Sequence, residues 1–403
     1  MKSTLGKPTA GMGWSAPAFL AGLTAFTWYA FGALPLHLAI SAQLGLSAAQ
    51  TSSWVFIVWF SGALLTILLS FYYRQPIPIT WTVPGLIYLG TLAGQFSYAE
   101  IMGGNLMAGL LFLALAVLGM GERIMKWLPL PVVMGMFAGS IFTYVTRTVE
   151  AIVGDLRVAG VTMAGYLIGR AIGRRSVPPV GLAVIAGSVA VAVTWTSAPI
   201  ELSWTLPAVA IPEMRFTFPA FVAVSLPLVV LALGLGNVQG LGFLMAQGYR
   251  VPVNKVTIAT GVCSVVNALF GGHPATVART GAALLAGPEA GPVPGRYWGA
   301  VTSAGLTIVM ALGAGTVAAL VGVLPRGFII VLAGVAILSS FQDALEKGFG
   351  GQLRFGALTA FAVAATPFSI FGITSAFWAI LAGMGGSLLA ERRELFAYWR
   401  GNR

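Results

Sequence analysis

Charge is what this sequence has least of. Asp, Glu, Lys and Arg make up 8% of its 403 residues, against roughly 25% in a typical soluble domain. A chain this poor in charge cannot cover a soluble surface, which excludes a cytosolic enzyme, a nucleic-acid-binding protein and a disordered chain. Cysteine occurs once, as Cys263 in an apolar run, so there is no disulfide scaffold and no cysteine-based metal site. Histidine occurs twice, as His37 and His273, too few for a metalloenzyme. What the chain has instead is hydrophobic residues, 58% of the total. The composition is that of a polytopic membrane protein in a lipid bilayer.

Apolar stretches of spanning length, roughly 20 residues each, follow one another almost without linkers. They read as 14–38, 51–73, 83–95 (short), 102–121, 130–146, 157–170, 178–196, 218–236, 252–270, 275–287 (short), 297–318, 325–341, 354–368 and 372–390. The first runs on past signal-peptide length without a cleavage site, so none is expected. The 52 glycines suit close helix packing. Basic residues test this count of fourteen. With a cytoplasmic N-terminus, 17 of the 22 Lys and Arg fall on the inner side. Arg147, Arg157, Arg215 and Arg326 fall outside, a bias that obeys the positive-inside rule and explains the net charge of +11. The longest outer loop, about 196–217, splits the chain near its middle.

Segments 3 and 10 carry the most information. Gln75–Gly85 reads QPIPITWTVPG and Gly271–Gly281 reads GGHPATVARTG; each sets an extended, proline-containing stretch before a half-length helix. Pro76 and Pro78 remove donors that a regular helix needs. Such backbone persists at membrane depth only when buried in protein or lining a cavity. The two runs lie roughly 196 residues apart, each third in a set of seven. Seven is odd, so the sets have opposite orientations, the pattern of a transporter's inverted repeat with a midplane site. Half-helix N-termini meeting there favour an anion.

Charges inside spans are functional candidates. Arg279 stands in the first turns of half-helix 10, where its forked donors suit a carboxylate; the alternative is an arginine tying the half-helix to a neighbouring carbonyl. His273, beside it, is a candidate for carrying a coupling proton or a hydrogen-bonded structural residue. His37 is placed near the outer interface. Asn237 and Gln239 in segment 8 are two apart, so they do not share a helix face, and the sequence leaves open which of them faces the site. Trp28, Tyr29 and Phe31 wall an aromatic-friendly pocket or simply pack. Thr80, Trp81 and Thr82 offer hydroxyls, a ring and backbone groups, and Thr276 opens the run that carries Arg279 in segment 10. No embedded carboxylate pair, phosphate loop or nucleophile–base set is read, which argues against an enzyme.

The runs QPIPITWTVPG and Asn267–Gly295, NALFGGHPATVARTGAALLAGPEAGPVPG, resemble the bacterial benzoate:proton symporters, and more distantly the nucleobase–proton symporters and sulfate-type anion transporters. The resemblance implies an all-α membrane fold of fourteen segments in two inverted repeats, segments 3 and 10 each a short strand plus half-helix. It implies a core domain (1–121 and 218–318) and a gate domain (122–217 and 319–403), with substrate between the two short strands. Where the nucleobase symporters carry acidic residues, this chain has Asn237 and, nearby, His273; the arginine of the sulfate-type relatives is matched by Arg279. The implied activity is proton-coupled uptake of a small aromatic carboxylate across the inner membrane, both termini cytoplasmic. Arg279, Thr276, Thr82, Trp81, Tyr29, Phe31, Asn237 and Gln239 are the binding candidates and His273 the proton carrier. No cofactor is expected beyond the proton. An anion exchanger or channel and a nucleobase carrier are the alternatives. Related folds dimerise, and the residues leave the oligomeric state open.

Overall fold

The computed structural model describes residues 14–120, 127–173, 178–194, 203–320 and 324–401. Lys2, Lys7, Glu122, Arg123, Lys126, Arg174, Arg175, Glu201 and Arg403, all part of the charge reading, lie outside these residues.

The fold is helical almost throughout. Helices α1 (Ala16–Gln43) and α2 (Ala48–Tyr73) lead into strand β1 (Ile79–Trp81) and half-helix α3 (Val83–Thr91). Then come α4 (Tyr98–Val117), α5 (Leu130–Gly154), α6 (Val161–Ile172, entered through a π-helical turn) and α7 (Pro179–Thr194). A continuous helical stretch, α8 (Phe218–Ala246), and α9 (Val253–Leu269) precede strand β2 (Ala275–Val277) and half-helix α10 (Arg279–Ala286). The chain closes with α11 (Tyr297–Leu312), α12 (Ala314–Ala319), α13 (Arg326–Phe349), α14 (Arg354–Ala365), a hairpin of β3 (Ser369–Ile370) and β4 (Ile373–Thr374), α15 (Ser375–Ala390) and α16 (Arg392–Gly401). Among the described residues, six helices (α1, α2, α4, α5, α8 and α13) are long and apolar enough to cross a bilayer. This is a multi-pass membrane architecture.

Local chemistry sets the helix starts. Ser47 and Gln50 form a capping box at α2, and Ser97 and Glu100 form another at α4. The core is built from two sets of helix pairs. α2 packs on α11, α4 on α9, and α1 on α11. α5 packs on both α13 and α14, α6 on α7, and α14 on α15. The sets meet where α1 touches α13 and α3 touches α5. The outer loop from residue 203 folds down onto the membrane helices: the Ala208 and Ala210 amides donate to the Ser52 and Ser53 hydroxyls, at 3.0 Å each.

The expectation of strand plus half-helix at segments 3 and 10 holds in detail. β1 and β2 pair antiparallel, with Thr80 opposite Thr276 at the centre. The pairing is reciprocal beyond the strands. The Thr82 amide donates to the Pro274 carbonyl (3.0 Å), and the Ala278 amide donates to the Pro78 carbonyl (2.9 Å). Each proline thus lacks a donor where none is needed and offers an acceptor where one is. Thr66 completes β1's outer side: the Ile79 amide donates to its hydroxyl at 2.7 Å. Because the strands are antiparallel, α3 and α10 leave the ribbon from opposite ends.

Close approach places α8 against this ribbon. A Cβ on Gly240 would stand 2.5 Å from the Val277 carbonyl oxygen, and one on Gly236 would stand 2.4 Å from the Thr276 methyl. Only glycine lets the helix come so near.

Four long helices outrun the sequence reading. α1 continues to Gln43 rather than ending near 38, α5 to Gly154 rather than 146, α8 to Ala246 rather than 236, and α13 to Phe349 rather than 341. In α13 the apolar pattern gives out at Gln342-Asp343, but the helix persists because Asp343 and Lys347 pair across one turn (2.7 Å).

The C-terminal helix anchors the fold through its acidic residues. α14 starts from Leu353 in a left-handed conformation (φ 60°), without a side-chain cap of its own. Glu391 supplies one from outside: its carboxylate accepts from the Phe355 amide (2.8 Å) and the Gly356 amide (3.0 Å). An anion bonded to a helix's first-turn amides is stabilising. Replacing it, Glu391→Ala, is expected to cost about 1–2 kcal/mol and to lower the thermal unfolding midpoint of the purified protein in detergent. An unchanged midpoint would contradict this assignment.

Candidate functional site

The two half-helices differ at their N-termini. Thr82 caps α3, accepting from the Gly85 amide at 3.2 Å. α10 begins after Ala278 with no side-chain cap, so its first-turn amides are open to a ligand. They face a cavity of about 420 Å³, within the range of small-molecule sites.

Three kinds of wall surround it. Aromatic rings come from Trp28 and Tyr29 of α1, Trp81 of β1 and Phe137 of α5. Polar groups come from Thr80, Thr82, Thr276 and Thr280 at the ribbon and half-helix starts, Gln239 of α8, and Ser339 and Ser340 of α13. Charge comes from Arg279 at the head of α10 and Asp343 of α13. The cavity therefore lies between the ribbon with its half-helices on one side and α5 and α13 on the other.

Trp81 is held by stacking on Trp59, with ring centroids 4.5 Å apart and planes at 25°. Tyr29 meets it edge-on at 6.3 Å. The Tyr29 hydroxyl and the Trp81 indole N–H are buried and have no hydrogen-bond partner among the described residues, so both can serve a ligand.

Arg279 is not free. Its Nη1 donates to Gln239 Oε1 and to Asp343 Oδ1, at 3.1 Å each. Lys347 Nζ donates to Asp343 Oδ2 (2.7 Å) and to the same Gln239 oxygen (3.2 Å). Neither Asp343 nor Lys347 was among the sequence candidates; Asp343 is a single carboxylate at the site, not the embedded pair whose absence the sequence reading noted. The available signal was their i, i+4 spacing with opposite charge just beyond an apolar run.

Of the expected site residues, the structure gathers Tyr29, Trp81, Thr82, Gln239, Thr276 and Arg279 around one cavity. In segment 8, Gln239 lines the cavity and Asn237 does not. Asn237 is 2% exposed. Its Oδ1 accepts from the Val277 amide (2.8 Å) and its Nδ2 donates to Thr260 (2.9 Å), so it pins β2 to α8 and α9. A π-helical stretch, Val230–Asn237, precedes it and sets this rotation.

Phe31 is a second correction. It borders a different cavity, about 640 Å³ and apolar, with Leu34, Pro35 and Phe328. It stands two positions beyond Tyr29, which on a helix turns it to another face.

His273 and His37 form a third group. His273 is fully buried and lies off the cavity lining; its Nδ1 accepts from Trp54 Nε1 at 2.9 Å. His37 is not interfacial but equally buried. Its ring lies 5.1 Å from Trp81 and 5.7 Å from His273, and its Nδ1 lies 3.0 Å from the Ala33 carbonyl oxygen. The extension of α1 beyond residue 38 carries His37 inside.

A membrane cavity at the meeting point of two half-helices is the arrangement in which transporters place a binding site. The profile of the family "benzoate membrane transport protein" matches residues 13–389. The chain belongs to the benzoate membrane transport family, a family of membrane transporters. It is 28% identical over 372 residues to the inner membrane protein YdcO of Escherichia coli strain K12, covering 91% of this chain and 94% of that one. It is 25% identical over 385 residues to the benzoate membrane transport protein of Acinetobacter baylyi, covering 92% and 94%. Among solved structures, it is similar in fold to the transmembrane domain of the cyanobacterial bicarbonate transporter BicA (TM-score 0.55, 18% identity, covering 95% and 97%). It is similar too to the murine anion transporter Slc26a9 in the inward-facing state (TM-score 0.61, 12% identity, covering 94% and 69%).

The glycine approach gives this family member a sharp local test. Gly240→Ala drives a methyl into the Val277 carbonyl and displaces α8 from β2. Ligand affinity at the cavity is expected to fall at least tenfold, whereas Gly242→Ala, where the added methyl meets open space, leaves it within about twofold. Equal effects of the two substitutions would contradict the role given to the approach.

Proposed function

We propose that this protein is a proton-coupled symporter that carries benzoate, or a similar aromatic carboxylate, across the bacterial inner membrane into the cytoplasm. The observation that carries the reading is the combination at one cavity of an uncapped half-helix N-terminus, Arg279 and a wall of Trp28, Tyr29, Trp81 and Phe137. A carboxylate accepts from the α10 amides and the guanidinium, and the ring packs among the aromatics. Membership of the benzoate membrane transport family, and the name of the Acinetobacter baylyi relative, support the same substrate.

The proposal includes fourteen segments in two inverted repeats of seven, with β1–α3 and β2–α10 as third members. It is supported by the reciprocal Pro78/Ala278 and Pro274/Thr82 bonds, which are what an in-plane two-fold relation between the repeats would produce. Segments 1–4 and 8–11 form the moving core and segments 5–7 and 12–14 the gate. The helix pairs described above fall within those groups, and the cavity lies between them. Both termini are cytoplasmic in this proposal, as the Lys and Arg bias favours. A proton suits the task, since it offsets the anion's charge and draws on the pH gradient. The sequence reading makes His273 its carrier; the structure buries His273 beside Trp54, outside the set of residues that line the cavity.

Uptake of labelled benzoate into proteoliposomes, with and without an inward proton gradient, tests the proposal. Wild-type protein is expected to accumulate benzoate when the gradient is imposed. Arg279→Ala is expected to lose at least tenfold in affinity, since a hydrogen bond to a charged group is worth about 1.5–3 kcal/mol. Gradient-independent uptake would favour an anion exchanger or channel, as the bicarbonate and anion transporters of similar fold suggest, and competition by uracil would favour a nucleobase carrier.

A further inference from the structure

Asp343 occupies the place where a substrate carboxylate is expected. It lines the same cavity as the aromatic rings, and its Oδ1 accepts from Arg279 Nη1 at 3.1 Å. Arg279 is half-exposed to that cavity, at 49%, so a second carboxylate can reach it. One guanidinium does not hold two ionised carboxylates well, because the two anions repel at contact distance.

We propose that Asp343 is the coupling carboxylate: it competes with the substrate's carboxylate for Arg279, and its protonation hands Arg279 over to the substrate. This rests on the reading of the protein as a carboxylate:proton symporter. A proton from water adds to Asp343 and the Arg279–Asp343 ion pair is lost. The substrate carboxylate then takes up the guanidinium and the α10 amides. Release runs the steps backwards, with Asp343 giving up its proton as it re-forms the pair.

The charge balance makes the exchange one-for-one. In the empty site Arg279 and Lys347 face one ionised carboxylate. In the loaded site they face one again, the substrate's, and Asp343 is neutral. Net charge is the same in both states, and in each of them Arg279 has one ionised carboxylate, which offsets the cost of a charge in a low-dielectric site. Binding an anion and binding a proton are thereby made mutually dependent, which is what symport requires.

The surroundings of Asp343 fit this role. Arg279 of α10 and Lys347 of its own helix are its ion-pair partners among the described residues. Gln239 of α8 is the neutral polar neighbour, its Oε1 shared between Arg279 (3.1 Å) and Lys347 (3.2 Å). Gln239 thus holds both cations in register as the carboxylates exchange. α1, α5, α6, α7 and α14, which also pack on α13, add no ion pair to Asp343 among the described residues. His273, by contrast, is not among the residues that line the cavity, and its Nδ1 accepts from Trp54 Nε1.

The test is calorimetric binding of benzoate to the purified full-length protein, repeated across about pH 5–8 and in buffers of different ionisation enthalpy. Wild type is expected to take up about one proton per benzoate, its affinity falling up to tenfold for each pH unit above the carboxyl's apparent pKa. Asp343→Asn is expected to bind with no proton uptake and with affinity that changes less than about twofold across the range. In proteoliposomes that variant exchanges benzoate but no longer accumulates it against a concentration gradient. Asp343→Glu keeps the proton uptake, which separates lost chemistry from a damaged fold. Undiminished proton uptake or accumulation by Asp343→Asn would overturn the proposal, as would wild-type binding without proton uptake, with the substrate reading left intact. Wild type that binds no benzoate would overturn the substrate reading and this inference with it.

Discussion

Two three-residue strands bear the structural demand on which everything else in this protein rests. Within hydrocarbon each backbone amide and carbonyl needs a partner, and an interrupted span leaves several without one. β1 and β2 solve the problem for each other. Thr80 faces Thr276, and the prolines that break each helix lend their carbonyls to the opposite chain. Neither break is tolerable alone. Together they allow two helix N-termini to begin near the centre of the protein instead of at its surface.

From that pairing the site follows. The ribbon admits α8 only because Gly236 and Gly240 present no side chain, and Asn237 then bonds to β2 across the gap. Fixing Asn237 inward turns Gln239 toward the cavity. α10 emerges uncapped with Arg279 as its first residue, so an anion-attracting helix end and a guanidinium share one position. Across the cavity, α13 brings a carboxylate to meet them. The rings of Tyr29, Trp59 and Trp81 make that polar focus part of an otherwise aromatic wall. The combination is suited to a ligand with one charged end and one flat apolar end.

Much of this was readable from the residues. The proline-bearing runs at Gln75–Gly85 and Gly271–Gly281 are so unlike their apolar surroundings that both breaks, and the half-helices after them, could be located from sequence. Arg279 stood out because a cation in a span is rare. Periodicity could not supply rotation about a helix axis, and that is where the sequence reading missed. Tyr29 and Phe31 are two residues apart yet border different cavities. His37 lay near the end of an apolar run, but α1 outlasts the run and carries it into contact with Trp54, Trp59 and Trp81. Asp343 escaped notice for the opposite reason. A charge ends an apolar pattern, and the helix was cut short there, although Lys347 one turn on cancels that charge locally.

The most direct measurement is a cryo-EM map of the protein with benzoate bound at low pH. The account predicts density for the carboxylate at the first turn of α10, within hydrogen-bond distance of Arg279, with the ring between Tyr29 and Trp81 and the Arg279–Asp343 contact broken. Benzoate bound elsewhere, or bound with that contact intact, would contradict it.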